Sequence, residues 1–186
     1  MKSFIALTFI GILTYAYAEM VTVAECGGAQ VNAMDNYRAP DYHKEKWYVT
    51  HVTKVTEPTE CRTLTATTKS DGKTFTVEHP FGDGGSQTLH CEAQAEAAKR
   101  LTFTCKVGDQ VVDKTIFITV DTDYNDYSLY YLCIAPTGGT PHDTYLIARR
   151  KAGDNIPPQL ESFTQGMDFK KMLVILQNEC PKTFVV

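Results

Sequence analysis

From about residue 46 to residue 151 the chain alternates apolar and polar residues, and turn chemistry breaks that alternation at short intervals. A period of two puts successive side chains on opposite faces of a strand, so a chain patterned this way folds as half-buried β-structure. The breaks fall at Ser70-Asp71-Gly72, Gly82-Asp83-Gly84-Gly85, Gly108-Asp109, Asp123-Tyr124-Asn125-Asp126 and Pro136-Thr137-Gly138-Gly139. Between them lie eight expected strands, at about 46–55, 60–68, 74–79, 87–95, 101–107, 112–121, 127–135 and 143–151. Even spacing of this kind fits a sandwich or an up-and-down barrel.

The chain ends bound the compartment. Lys2, the apolar stretch Phe4 to Tyr15 and the small-x-small site Ala16-Tyr17-Ala18 read as a secretory signal peptide over residues 1–18, with cleavage before Glu19. Its apolar stretch is too short to anchor the chain, and nothing later approaches the ~20 apolar residues a membrane span needs. The remaining 168 residues suit one domain, 19–186. The net charge of −4 becomes −5 once the leader and its one lysine are removed. No Lys/Arg cluster offers a phosphate surface, so nucleic acid is not an expected partner. No N-x-S/T sequon occurs.

Six cysteines follow the leader: Cys26, Cys61, Cys91, Cys105, Cys133 and Cys180. An even count in a secreted chain implies three disulfides. Zinc-type spacing is missing, because no C-x2-C pair or nearby His pair is present. One disulfide follows from register. Leu89, Cys91, Ala93 and Ala95 share one face of a strand, and Leu101, Phe103, Cys105 and Val107 share one face of the next. Folding about Ala98 sets Ala95 opposite Leu101, Ala93 opposite Phe103 and Cys91 opposite Cys105, within disulfide reach. Fixing that pair leaves three pairings for the other four cysteines. Beyond the last strand, Pro157-Pro158 opens a segment with Leu160, Phe163, Met167 and Met172, spaced as on one face of a helix that Gly166 interrupts. It is expected to pack outside the β-structure.

Three stretches, in order, resemble lipocalin motifs. Lys44-Glu45-Lys46-Trp47-Tyr48-Val49-Thr50 is similar to the first-strand G-x-W motif, with Glu45 in place of the glycine. Asp121-Thr122-Asp123-Tyr124-Asn125-Asp126-Tyr127 is similar to the T-D-Y-x-x-Y turn, and Tyr145-Leu146-Ile147-Ala148-Arg149-Arg150 to the arginine motif of the last strand. The resemblance implies an all-β, eight-stranded antiparallel up-and-down lipocalin barrel with a C-terminal helix packed outside. Trp47 would plug its closed end under Arg149 or Arg150. The W-Y-V-T start, the D-T-D-Y-N-D-Y run and the cysteine pattern narrow the likeness to the triabin-like salivary lipocalins of blood-feeding bugs, allergens among them. That family implies the disulfides Cys26–Cys133 and Cys61–Cys180. Its members include binders of thrombin, contact factors, thromboxane, amines, ADP and haem, so the likeness points to saliva and impaired host haemostasis more narrowly than to a ligand.

No catalytic set is legible: G-x-S-x-G, H-E-x-x-H and G-x-G-x-x-G are all missing, and no cysteine is spare. The chain reads as a monomeric binder, not an enzyme. His79 lies near where haem-carrying relatives place their iron ligand, but Pro80 follows it and its flanks differ, so no haem, metal or other cofactor is expected. His51 shares strand parity with Trp47 and Val49, which points it into the barrel as a ligand contact or a satisfied interior histidine, unless a bulge turns it to the surface. With Tyr48 and Tyr130 it forms the candidate ligand-contact set. Leu129-Tyr130-Tyr131-Leu132 fits a filled barrel as well as a cavity, and the facing of Glu60 and Arg62 is open. Two functions stand side by side. One is capture of a small hydrophobic or amphipathic host mediator in the barrel mouth. The other is inhibition of a host clotting protease or contact factor through loops and outer surface.

Overall fold

The computed structural model describes residues 19–54, 63–64, 66–81, 86–94, 99–151 and 155–172. Before the barrel, β1 (Glu19–Val23) and β2 (Ala29–Ala33) form a hairpin, and a single helical turn α1 (Ala39–Tyr42) follows. The barrel strands are β3 (Trp47–Val52), β4 (Thr63–Leu64), β5 (Thr67–Thr68), β6 (Thr74–Phe81), β7 (Gln87–Gln94), β8 (Leu101–Val107), β9 (Gln110–Thr122), β10 (Tyr127–Pro136) and β11 (His142–Arg149). Each of β5 to β11 pairs antiparallel with the next, and β11 returns to pair with β3. β4 lies on β3 and β5 on β6, so successive pieces of one chain segment reach both edges. The hydrogen-bonded path is open between those two pieces. Counting them as one strand gives the eight of an up-and-down barrel.

Turn chemistry sets the strand ends. Asp71 Oδ1 accepts from the backbone of Lys73 and Thr74, both at 2.8 Å, and its Oδ2 accepts from Thr74 Oγ1 at 2.6 Å. Those three donors hold its carboxyl down at about 2. Gly108 supplies the positive φ (58°) that the tight β8–β9 turn needs.

Two apolar clusters lie on opposite sides of one wall. The inner cluster lines the barrel and includes Tyr42, Trp47, Phe75, Leu101, Phe103, Phe117, Tyr130, Leu132 and Leu146. The outer cluster sits between the β1–β2 hairpin and the outside of β9–β11, where Val21, Val23, Val31 and Ala33 meet Ile116, Ile118, Leu129, Tyr131, Cys133 and Ile147. Two-sided burial explains the unbroken apolar run in β10: Leu129 and Tyr131 face the hairpin, whereas Tyr130 and Leu132 face the lumen.

The C-terminal helix is shorter than its apolar spacing predicts. A 3-10 turn at Pro158–Leu160 leads into α2 (Glu161–Thr164), and Gly166 (φ 81°) ends it. Leu160 and Phe163 pack on the outer cluster. Met167 is exposed, and Met172 reaches the inner cluster after the two-residue strand β12 (Lys170–Lys171). Met167 and Met172 therefore do not continue the helical face. The strand limits shift by a few residues from those expected, and the β1–β2 hairpin and β12 are additions.

Cys26 is joined to Cys133 and Cys91 to Cys105. Cys91 and Cys105 are direct cross-strand partners with Cα atoms 4.0 Å apart. Both lie in the inner cluster, so this disulfide faces the lumen. Cys61 and Cys180 fall outside the described residues, as do residues 1–18, Glu60, Arg62, Ala95 and Ala98.

Candidate ligand site in the barrel

The closed end is built by three distant segments. Trp47 opens β3 fully buried, and its Nε1 donates to the Tyr42 carbonyl at 2.9 Å. Arg150 follows β11 and lays its guanidinium 3.6 Å from the Trp47 ring centroid. The same fork donates to the carbonyls of Tyr42, Glu45, Lys46 and Tyr124. Residue 45 thus serves through its backbone while its side chain is exposed, which is why glutamate is tolerated where the motif has glycine. Arg149 does not stack. It forms a bidentate pair with Asp126, with Nη2 at 2.8 and 3.0 Å from the two carboxylate oxygens.

The Thr122-Asp123-Tyr124 turn locks the floor. Thr122 Oγ1 donates to the Tyr127 carbonyl at 2.6 Å, and Asp123 Oδ1 accepts from the backbone of Asn125, Asp126 and Tyr127. Tyr124 takes a positive φ (65°), and its hydroxyl accepts from the Arg38 backbone at 3.0 Å. This ties the turn to the segment that carries α1.

Of the three ligand-contact candidates, Tyr130 lies in the lumen. It is 1% exposed, with its ring 5.1 Å from that of Phe117. His51 does not share the Trp47 face. The β3–β11 register slips by one residue: Ala148 pairs with Val49, but Ile147 pairs with His51 and Leu146 with Val52. Val52 and Leu146 belong to the inner cluster and Ile147 to the outer one. A bulge at Thr50 therefore turns His51 to the outside, where it is buried opposite Lys171 of β12 with Nδ1 3.0 Å from Thr50 Oγ1. Tyr48, opposite in parity to Trp47 and paired with Arg149 and Thr63, also faces outward. For His79 the structure gives only backbone pairing, with Leu89.

The structure adds lumen residues that strand parity could not supply, because they precede β3 or sit among apolar neighbours. His43 is 5% exposed, with its ring 4.9 Å from Tyr42, 5.4 Å from Phe75 and 6.0 Å from Phe117. Burial, with Arg150 adding to it, holds its imidazole neutral, down at about 3. Its Nε2 lies 3.4 Å from the Tyr37 hydroxyl, while its Nδ1 has no hydrogen-bond partner. Thr119, paired across the sheet with Tyr130, is buried, and its hydroxyl stands near the Tyr37 phenol without reaching good hydrogen-bond geometry with it or any other group. The Tyr37 phenol is pushed up by burial, with the nearby Thr119 hydroxyl opposing that shift. At the closed end the Tyr42 hydroxyl meets Ser128 Oγ at 2.8 Å. Towards the other end of β9, Asp113 lies opposite Cys105 on the lumen side. Burial raises its carboxyl, and Thr115 Oγ1 donates to it at 3.1 Å. The only sequence signal for the His43 region was Pro40 just ahead of Trp47, which starts α1.

An antiparallel barrel closed at one end by a Trp–Arg stack and lined with aromatic rings has the lipocalin fold. The chain aligns with a mutant of LTBP1 in complex with leukotriene C4 at a TM-score of 0.56 and 22% identity, over 75% of this chain and 89% of that one. It aligns with apocrustacyanin C1 at 0.52 and 18% identity, over 77% and 83%. The chain belongs to the triabin family, whose family model matches residues 18–163. Among relatives, procalin of Hospesneotomae protracta is 38% identical over 175 residues, covering 91% of this chain and 98% of procalin. Triabin of Meccus pallidipennis is 29% identical over 164 residues, covering 87% and 99%.

Proposed function

We propose that this protein is a secreted, non-enzymatic carrier that captures one small, largely apolar host mediator inside its barrel and so aids blood feeding. The observation that carries this reading is the inner face: a ring-lined wall that leaves two buried polar atoms, His43 Nδ1 and Thr119 Oγ1, without partners. Each buried unpaired polar group costs about 1–3 kcal/mol, and a ligand in the lumen could offset that cost for these two, which lie on the wall it would meet. The leukotriene C4 complex of LTBP1 supports a mediator of that general character. The expected signal peptide over residues 1–18 and the disulfides support secretion, as does kinship with procalin. Haem and metal play no part in this reading, and stoichiometric binding replaces turnover.

The test is native mass spectrometry of the secreted protein, with titration of leukotriene C4 followed by Trp47 fluorescence. One retained small molecule per chain, or saturable 1:1 quenching, is expected. A protein that carries no small molecule, does not respond to the titrant and instead blocks a clotting protease would replace this reading with surface inhibition.

A further inference from the structure

We propose that Tyr37, His43 and Thr119 form a closed-end subsite that binds an uncharged oxygen group, a hydroxyl or carbonyl, on the buried end of an apolar ligand. The proposal rests on the barrel-binding reading and specifies it. Three polar side chains from separate segments converge here: Tyr37 before α1, His43 after it, and Thr119 on β9. The Tyr37 hydroxyl bridges them, 3.4 Å from His43 Nε2 and near the Thr119 hydroxyl.

A neutral imidazole has one donor and one acceptor nitrogen. If the phenol donates to Nε2, the proton sits on Nδ1 and seeks an acceptor. In the other tautomer Nδ1 is itself an acceptor. In both cases a ligand hydroxyl can satisfy it, and the Thr119 hydroxyl near Tyr37 can donate or accept as required.

Charge is selected against at this depth. The rings of Tyr42, Phe75 and Phe117 surround the imidazole. The nearest cation, Arg150, is already occupied by backbone carbonyls and by Trp47. A carboxylate placed here would lose its water and gain no free cation from Arg150, and an ammonium would find no carboxylate among the described buried residues. The described carboxyl on the lumen face of β9, Asp113, sits four to six residues from Phe117 and Thr119 along the strand, towards the β8–β9 turn. The favoured ligand therefore carries its uncharged oxygen end inward and any charged end towards that turn.

The experiment compares 1-naphthol, 1-methylnaphthalene and 1-naphthoate by equilibrium dialysis and Trp47 quenching on the disulfide-intact secreted chain. Naphthol is expected to bind about tenfold more tightly than methylnaphthalene, the size of one net hydrogen bond. Naphthoate is expected to bind no better than methylnaphthalene. The naphthol advantage should vanish in Thr119→Val and in His43→Phe. It should persist in Thr102→Val, which removes another unpartnered hydroxyl, one that faces outward on β8. The two lumen variants guard each other, since Thr119→Val keeps shape if His43→Phe fails to fold. Equal binding of naphthol and methylnaphthalene overturns the subsite, with ordered water then satisfying these atoms, and leaves the barrel reading intact. Preference for naphthoate, or an advantage that survives both lumen variants, overturns it as well. If none of the three binds, the subsite falls, and the retained-ligand measurement alone decides the barrel reading.

Discussion

The two apolar clusters share the strands β9, β10 and β11 yet differ in kind. The outer one, under the β1–β2 hairpin, is mostly aliphatic and is stapled by Cys26–Cys133. Its tyrosines send their hydroxyls to carboxylates at the edge: Tyr127 to Asp121 at 3.2 Å and Tyr131 to Asp143 at 3.0 Å. Burial and the facing carboxylate together push the Tyr127 phenol up to about 12. The inner cluster is ring-rich and holds a neutral histidine and a threonine with open hydrogen-bonding capacity. Tyr127 and Tyr131 of the outer layer are thus satisfied within the chain, as packing for stability should be, while Thr102 on the outer face of β8 keeps one unpartnered hydroxyl. The inner layer keeps unmet polar capacity, which costs stability and makes sense where something else is to be bound.

The largest expected effect breaks the outer layer. Replacing Cys26 and Cys133 by Ala opens a link with a sequence separation of 107. The chain-entropy treatment puts such a loop at about 4–5 kcal/mol, an upper figure. Replacing Cys91 and Cys105, with a separation of 14, should cost about 3 kcal/mol by the same treatment. Denaturant melts of the two double variants check the order. If the lumen-facing pair proved the costlier, the division into a stabilising outer layer and a binding inner one would be wrong.

The next effect belongs to the inner layer and depends on pH. His43 is held at about 3 in the fold against 6.5 for an ordinary imidazole. Between those values the unfolded chain binds the extra proton, so stability is full above about 6.5 and falls as pH drops towards 3. The full slope is about 1.4 kcal/mol per pH unit. From pH 6.5 to 4.5, ahead of most carboxylates, the loss should reach about 2–3 kcal/mol. His43→Phe should flatten that stretch of the stability curve. A wild-type curve already flat there would mean that water reaches the imidazole.

Much of this architecture was legible in the sequence because β-structure writes itself in period two. β8, with its alternating Leu101, Phe103 and Cys105, matched its expected limits, and the Cys91–Cys105 register followed from the same parity. Parity failed where the backbone broke the period. The bulge at Thr50 reversed His51, and no residue type near it announces a bulge. It also failed where burial was two-sided: Leu129 to Leu132 look uniform because one set faces the hairpin and the other the lumen. The polar lumen residues were hidden for a different reason. His43 lies in the link between α1 and β3, outside any strand, and Thr119 is a single hydroxyl within Ile116 to Val120. Apolar spacing alone extends the helix too far, because it does not show that Met172 turns back into the barrel after Gly166.

The smallest effect separates two neighbouring arginines that the motif left interchangeable. Arg150 stacks on Trp47 and holds the carbonyls of α1, the segment leading into β3 and the Thr122–Tyr124 turn. Lysine keeps the charge but has neither the plane nor the fork. A partly desolvated cation–π contact is worth up to about 2 kcal/mol, so Arg150→Lys should cost about 1–2 kcal/mol and shift Trp47 emission as the floor loosens. Arg149 pairs with an Asp126 whose side chain is about half exposed (49%), and such a pair contributes at most about 1 kcal/mol. Arg149→Lys should therefore cost less than Arg150→Lys and leave the Trp47 spectrum unchanged. Raised salt should narrow the difference between wild type and the Arg149 variant, while the Arg150 effect persists because the indole face excludes counterions. Equal costs for the two substitutions, with equal spectral shifts, would mean that the stack is not what closes this end of the barrel. The inner layer would then lose the rigid floor against which its open hydrogen-bonding groups are set.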